Sequence, residues 1–467
     1  MALAETIHII AIGGTGVAPL ACLLRREGYQ VRGSDGPLYP PMSTLLADED
    51  LEVIEGFSSE NIHPRPDLVI VSNAVPRTNP EVVELERLGW PKLSMPEALG
   101  RFFLADREPI VVTGTHGKTS TTCMAAWVYS ECGQDPGYLI GGVPHNLPAP
   151  FARGSGRRFA IEGDEYNAAY FDRGPKFLHY NPHTVILTGV EHDHVDLYPT
   201  PESFRSAFQA LVEIVPDRGL LAGDIDGPHV AEIVAGAGCR VVTYGIDNED
   251  ADLRPAGPIE VGPTGTRFQI ADPQAGEVEV ELGVFGLHNV RNALAVWAVA
   301  RADGLAADAV AAALASFRGV RRRLETVGVA GGVTVIDDCA HHPTEIAATL
   351  EALRQRFGER RIVAVFEPRS LTSARSFFYQ PYLDAFSAAD RVCLAPIFHF
   401  DRTRDAERID FGALTTELAA RGVPTRQFES LEALEAAVVV EAQPEDVVVT
   451  MSSGSFGGLP TRLLERL

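Results

Sequence analysis

The chain has 467 residues, with 63 Asp or Glu against 40 Lys or Arg and a formal net charge of −23. That balance excludes a general nucleic-acid binder, which needs a basic footprint, but not a polyanionic nucleotide held at one local site. At roughly 150 residues per domain the length predicts about three domains, and a 45% hydrophobic, 22% charged composition is that of a globular protein with large cores. In chain order, Ile7–Ile12 reads as a strand and Val17–Glu27 as a helix with Leu20, Leu23 and Leu24 on one face; Tyr29–Gly33 is a second strand ending near Asp35. Asp67–Ser72 and Pro80–Leu88 follow as strand and helix, and a pause at Arg107–Pro109 precedes the strand Ile110–Thr113 and a helix starting near Lys118. Further strands are expected at Phe159–Ile161 and Thr184–Leu187, then a polar, Gly- and Pro-rich stretch from about Asp247 to Gly276. Glu277–Leu282 alternates as a half-buried strand antiparallel to a neighbour, Asn289–Ala302 is helical, and a third unit opens after Arg318–Arg323. Its strands are expected at Val333–Ile336, Ile362–Phe366, Arg391–Leu394 and Val447–Met451. This alternation is the pattern of parallel α/β domains, and the boundaries are placed at 1–107, 108–318 and 319–467.

Six cysteines (Cys22, Cys123, Cys132, Cys239, Cys339, Cys393) form no CxxC pair, so reduced thiols are expected rather than disulfides or zinc. No apolar run reaches the ~18 residues of a membrane span. The start, MALAETIHII, lacks a basic segment followed by a long apolar one, so a soluble cytoplasmic protein without membrane insertion is expected. Lysine is scarce. Lys92, Lys118 and Lys176 are the whole set, so chemistry that requires lysine has three places to occur.

One of the three lies in the strongest local motif, Gly114-Thr115-His116-Gly117-Lys118-Thr119-Ser120, between a strand and a helix. Glycines there let backbone N–H groups approach phosphate oxygens, Lys118 would neutralise β/γ-phosphate charge, and Thr119 would offer a hydroxyl to Mg²⁺. The full GxxxxGK[ST] pattern needs glycine at 112, where this chain has Val112, so the loop is a shortened variant. Ala11-Ile-Gly13-Gly14-Thr15-Gly16, with Asp35 further on, is an incomplete dinucleotide fingerprint compatible with NAD, a nucleotide-sugar pyrophosphate or a plain βα turn. Glu162-Gly163-Asp164-Glu165 and Glu191-His192-Asp193-His194-Val195-Asp196 each end a strand, where carboxylates beside a phosphate loop can hold Mg²⁺. In the third unit, Arg321–Arg323 offers either a phosphate-reaching arginine or a solvated linker, and Asp337-Asp338 either N-cap chemistry or a ribose carboxylate.

Together GTHGKT (114–119), EGDE (162–165), EHDH (191–194), GLHNVRN (286–292), RRRLE (321–325) and DDCAHHPTE (337–345) resemble the Mur ligases, ATP-dependent amide-bond-forming enzymes of bacterial cell-wall precursor metabolism. The resemblance runs from Ile7 to Gly458 and implies a Rossmann-like N-terminal domain, a central P-loop ATPase domain and a Rossmann-like C-terminal domain that receives the nucleophile. Tyr39–Leu46, Asp164–Asp172 with Lys176–Tyr180, and Glu367–Ser370 resemble the branch joining UDP-N-acetylmuramate to L-alanyl-γ-D-glutamyl-meso-diaminopimelate in peptidoglycan recycling. The resemblance implies that Gly13, Gly14, Thr15, Gly16, Asp35, Ser72 and Asn73 serve the UDP-sugar. It assigns Gly114–Ser120 to ATP phosphates, Thr119, Glu162 and His194 to Mg²⁺ (two ions), and His288, Asn289 and Asn292 to adenine. Arg323 would reach the γ-phosphate and Asp338 the ribose, so that Lys118, Glu162, His194 and Arg323 form the catalytic set. Arg369, Ser453 and Gly454 are candidates for the carboxylate-rich peptide, which suits an arginine fork. Three residues depart from the pattern: Ala11 for the first loop glycine, Gly163 where alanine is common, and Gly189 where many relatives have asparagine. With no lysine after Lys176, the carbamylated lysine of several relatives has no counterpart. The alternatives are a ligase adding free L-alanine, an NAD-dependent oxidoreductase built on the first domain, and a non-catalytic UDP-sugar sensor that hydrolyses ATP.

Overall fold

The computed structural model describes residues 6–195, 197–370, 372–398 and 408–467. They form two compact units: Met1–Arg254 with Ile270–Val278 and Arg291–Leu314, and Pro255–Gln269 with Glu279–Val290 and Ala315–Leu467.

The first unit carries two sheets. In one, β1 (Thr6–Ile10), β2 (Gln30–Asp35), β3 (Glu52–Glu55), β4 (Leu68–Val71) and β5 (Lys92–Ser94) run parallel in the order β3-β2-β1-β4-β5. This is a Rossmann-like half, with its order reversing between β1 and β4, where ligands of such sheets bind. The helix Val17–Arg26 buries every residue from Val17 to Leu24, a wider face than its three leucines imply. The other sheet holds β6 (Glu108–Thr113), β7 (Gly137–Leu139), β8 (Phe151–Ala152), β9 (Arg158–Gly163), β10 (Thr184–Leu187), β11 (Leu220–Asp224) and β12 (Arg240–Tyr244). Its order is β12-β11-β10-β6-β9-β7-β8, with β8 antiparallel at the edge. Buried on both faces, β6 and β10 read as continuous apolar runs rather than alternations.

A small sheet joins β13 (Glu260–Val261), β14 (Thr266–Asp272) and β15 (Gly276–Leu282); β15 matches the strand expected at Glu277–Leu282, whereas β13 and β14 fall in the polar, Gly- and Pro-rich stretch where no strand was expected. That reading is corrected for Thr266–Asp272, whose burial alternates strictly until its last residues. The C-terminal sheet orders β16 (Glu325–Ala330), β17 (Val333–Asp338), β18 (Ile362–Phe366), β19 (Arg391–Leu394), β20 (Thr425–Gln427) and β21 (Val447–Met451) as β16-β17-β21-β18-β19-β20. All its pairs are parallel except β16·β17, a bulged antiparallel edge that precedes the expected first strand. All six cysteines are free; Cys22, Cys123 and Cys393 are buried. Among the described residues no helix is long and apolar enough to cross a membrane.

Candidate active site

Strand register assembles the central site. β6 lies between β9 and β10, with Thr113 opposite Gly163 on one side and Leu187 on the other. The loops leaving those three ends therefore open on one edge of the sheet. Gly114 and Gly117 adopt φ of 129° and 80°, left-handed backbone that side chains resist. The helix Lys118–Glu131 then starts without a side-chain cap, the polarity that suits an anion. A Cβ on Gly117 would lie 3.0 Å from Asn292 Oδ1, so that asparagine packs directly on the loop.

Lys118 Nζ donates to Gly114 O at 2.6 Å and Thr115 O at 3.2 Å, and pairs with Glu165 at 3.3 Å. Thr119 Oγ1 donates to Glu162 Oε2 at 2.9 Å, while Glu162 Oε1 accepts the Gly141 N–H at 2.5 Å. Ser120 is half-buried in the same first turn. His116 meets Glu191 at 3.0 Å, and the Thr115 hydroxyl exchanges two 2.8 Å hydrogen bonds with the Glu191 backbone. His194, with φ of 51°, turns Nε2 to Glu165 at 2.9 Å, and Tyr166 packs on its ring at 4.3 Å. Of the expected metal set, Thr119 and Glu162 are brought together, whereas His194 is brought to Glu165. Asp196 lies outside the described residues.

The charges support one another. Burial opposes the Lys118 ammonium, but Glu165 and Asp164 outweigh it and raise its pKa. Burial also disfavours the Glu165 carboxylate, yet Lys118 and His194 hold it down at about 2. For His194 burial acts downward, and Glu165 with Asp193 turns the net shift upward. The hard oxygens of Thr119 and Glu162 are the donor type that Mg²⁺ takes.

At the end of β1, the Gly13 N–H donates to Asp35 Oδ2 and the Gly36 N–H to Oδ1, each at 2.7 Å. Gly14 O accepts the Val17 and Ala18 N–H groups at 3.0 and 2.8 Å; Thr15 is exposed, and Gly16 leads into the helix without a side-chain cap. Ser72 is buried, with its N–H on Ile10 O at 3.2 Å. Asn73 lines a cleft of about 460 Å³ with Arg77, Asn167, Tyr170 and Arg173. The far wall is a closed loop: the Lys176 N–H reaches Tyr166 O at 3.0 Å and the Ala168 N–H reaches Gly174 O at 3.0 Å.

In the second unit, His288 Nε2 and Asn289 Nδ2 lie 3.0 Å apart, and the Asn289 amide also donates to Phe285 O at 2.9 Å. Asp338 is buried and accepts the Leu324 and Ala340 N–H groups at 2.6 and 2.7 Å and the Thr349 hydroxyl at 3.3 Å. Burial pushes its carboxyl up to about 6 against the opposing Arg323 charge. Asp338, Phe366 and Met451 end adjacent strands in register, so Glu367–Arg369 and Ser452–Gly454 emerge beside the aspartates. Arg369 stacks 3.7 Å over Phe398 and crowds Gly454. The Cys339 thiol lies 4.0 Å from Ser453 O. Arg322 was read only as part of a basic run; it donates to Ser452 O at 2.7 Å and to Asp337 at 3.2 Å.

Known proteins can be set beside this geometry. Family models described as "Mur ligase family, catalytic domain", "Mur ligase middle domain" and "Mur ligase, glutamate ligase domain" match residues 6–107, 112–300 and 322–454. The chain belongs to the Mur ligase family. The UDP-N-acetylmuramate–L-alanyl-γ-D-glutamyl-meso-2,6-diaminoheptandioate ligase of Escherichia coli (strain K12) is 39% identical over 99% of this chain and 98% of its own. A UDP-N-acetylmuramate–L-alanine ligase of Chlorobaculum tepidum is 36% identical over 98% of this chain and 94% of its own. Among solved structures, a murein peptide ligase from Psychrobacter arcticus 273-4 superposes with a TM-score of 0.75 at 30% identity, over 99% of this chain and 98% of that one.

The three departures from the family pattern have structural correlates. Ala11 holds φ of 59°, so this Mur ligase keeps a left-handed turn without the glycine. At Gly163 a Cβ would come within 2.6 Å of Val111 Cγ1. Gly189 has φ of 146°, and its carbonyl takes the Thr115 N–H at 2.9 Å. Glu165 and Glu191 were read only as members of carboxylate clusters able to hold Mg²⁺; the structure pairs Glu165 with Lys118 and His194, and Glu191 with His116.

Proposed function

We propose that the chain is an ATP-dependent, ADP-forming ligase that joins UDP-N-acetylmuramate to L-alanyl-γ-D-glutamyl-meso-diaminopimelate. One observation carries the reading: a phosphate loop with Lys118 and a Thr119–Glu162 pair, in a chain 39% identical end to end to a ligase of that name. In this reading 1–107 binds the UDP-sugar, 108–318 binds ATP, and 319–467 receives the peptide.

A carboxylate does not condense with an amine in water, because its oxyanion leaves poorly. The ATP γ-phosphoryl group passes first to the muramate carboxylate, and the peptide amine then displaces phosphate from the acyl phosphate through a tetrahedral intermediate. Lys118 and the backbone N–H groups of 116–119 orient the phosphates and neutralise charge as it moves. Thr119 and Glu162 would hold Mg²⁺, which supplies further neutralisation when bound. Gly13, Gly14, Gly16 and the helix start at Val17 would take the UDP diphosphate. Its far portion would lie toward Asn73 and the cleft walled by 166–176.

The test is direct. Purified protein receives UDP-N-acetylmuramate, ATP and Mg²⁺ with either the tripeptide or L-alanine, and adducts are read by mass. Tripeptide adduct with ADP release is expected; ligation of L-alanine alone would overturn the substrate, and ATP-independent hydride transfer to NAD would overturn the class. The L-alanine reading is kept because a relative of that name is 36% identical over nearly the whole chain.

A further inference from the structure

Lys118 has no spare donor direction. An ammonium carries three N–H groups, and here they meet Gly114 O, Thr115 O and the Glu165 carboxylate. A phosphate oxygen must therefore replace one of them. The carbonyl at 2.6 Å belongs to the loop itself and moves only with it. Glu165 is the longest contact, at 3.3–3.4 Å, and the one acceptor of the three with a second side-chain partner, His194 Nε2 at 2.9 Å. Its side chain is 1% exposed, so the carboxylate has little water to turn to, and the Tyr198 hydroxyl donates to its backbone carbonyl at 2.6 Å.

We propose that Glu165 is a positioning residue that shares one buried carboxylate between Lys118 and His194, and that nucleotide phosphate takes Lys118 from it. Capture of nucleotide on β6 is thereby coupled to the setting of His194 after β10: once Lys118 turns to phosphate, the whole carboxylate charge faces the imidazole. The inference rests on the nucleotide reading above and adds to it a residue with no contact to the reactants.

The competition predicts opposite effects on binding and turnover. In Glu165→Gln the buried ammonium loses its counter-charge, so phosphate is worth more to it, while His194 loses the carboxylate that orients it. Titration calorimetry with AMPPNP and Mg²⁺ should give a Kd about fivefold lower than wild type, while kcat for ligation falls about tenfold or more. Glu165→Asp keeps the charge but withdraws it by one methylene. Its AMPPNP Kd should return to within about twofold of wild type with kcat still depressed. A residue that only supports the fold would weaken both quantities and lower the melting temperature with them. Weaker AMPPNP binding in folded Glu165→Gln, or wild-type kcat in either variant, overturns the coupling. If Glu165→Gln does not fold, the kcat of Glu165→Asp decides alone. Absence of AMPPNP binding to the wild-type protein would instead refute the nucleotide reading itself.

Discussion

Asp272, at the end of β14, offers a stability prediction whose size can be worked two ways. Its Oδ1 accepts the Gln274 and Ala275 N–H groups at 2.8 Å each, closing the turn into β15. Its Oδ2 accepts Trp297 Nε1 at 2.9 Å and Arg301 Nε at 2.8 Å, both from the helix Leu287–Ala302. Asn in its place keeps the shape but turns an NH₂ toward two of these four donors, at a cost of about 2–4 kcal/mol for two lost acceptors. The second route is proton linkage. Burial raises the Asp272 pKa, yet Arg301, the two backbone N–H groups and Trp297 outweigh it and hold the group down at about 2 from 3.8. A depression of nearly two units is worth about 2.5 kcal/mol. Because the folded pKa is the lower one, this stability is complete above about pH 5 and drains away as pH falls toward 2. Asp272→Asn should therefore melt roughly 3–6 °C below wild type at pH 7 by scanning calorimetry, with the gap narrowing between pH 4 and 2.5. A gap under about 1 °C at pH 7, or one that stays constant down to pH 2.5, would refute the reasoning.

Lys118→Ala should reduce ATP-dependent ligation by about a thousandfold or more, because the displaced phosphoryl charge loses its fixed cation; near-normal product by mass would remove the phosphate loop from the mechanism. Arg173→Ala, on the cleft wall facing Asn73 and Arg77, should raise KM for UDP-N-acetylmuramate about tenfold with little change in KM for ATP; equal effects on both would argue against a sugar-nucleotide cleft. Gly454→Ala would drive a methyl into the Arg369 side chain. It should raise KM for the tripeptide about fivefold while nucleotide affinity is retained, as calorimetry with AMPPNP can check.

The legible parts of the fold were those buried on both faces. Thr184–Leu187, Ile362–Phe366, Arg391–Leu394 and Val447–Met451 were placed to the residue, because a central parallel strand is a short, mostly apolar, β-branched run. Leu220–Asp224, though buried throughout, was passed over because Gly223 and Asp224 cut its apolar run to three residues, and Arg240–Tyr244 because it is a partly exposed edge strand. Glu325–Ala330 was missed for a related reason: it is an antiparallel edge whose bulge between Thr326 and Gly328 breaks the alternation that would have marked it. The phosphate loop was readable because its residues are consecutive. Its partners were not, because Glu165 and Glu191 reach it only through the register of three strands far apart in the chain. Asp35 shows the same limit: spacing placed it near the glycine loop, but only the structure reveals both carboxylate oxygens engaged by the Gly13 and Gly36 N–H groups.

The three lysines each end on a carboxylate: Lys92 on Glu86 at 3.2 Å, Lys118 on Glu165 at 3.3 Å and Lys176 on Asp164 at 3.0 Å. Their side chains are 24%, 15% and 13% exposed. An acylating reagent that seeks primary amines thus meets a molecule of this size with hardly any side-chain targets, and one of them is the floor of the phosphate loop. Peptide mapping after such labelling becomes a nucleotide footprint with its own controls: ligand should shield the Lys118 peptide, while the Lys92 peptide reports unchanged reagent strength in the same tube.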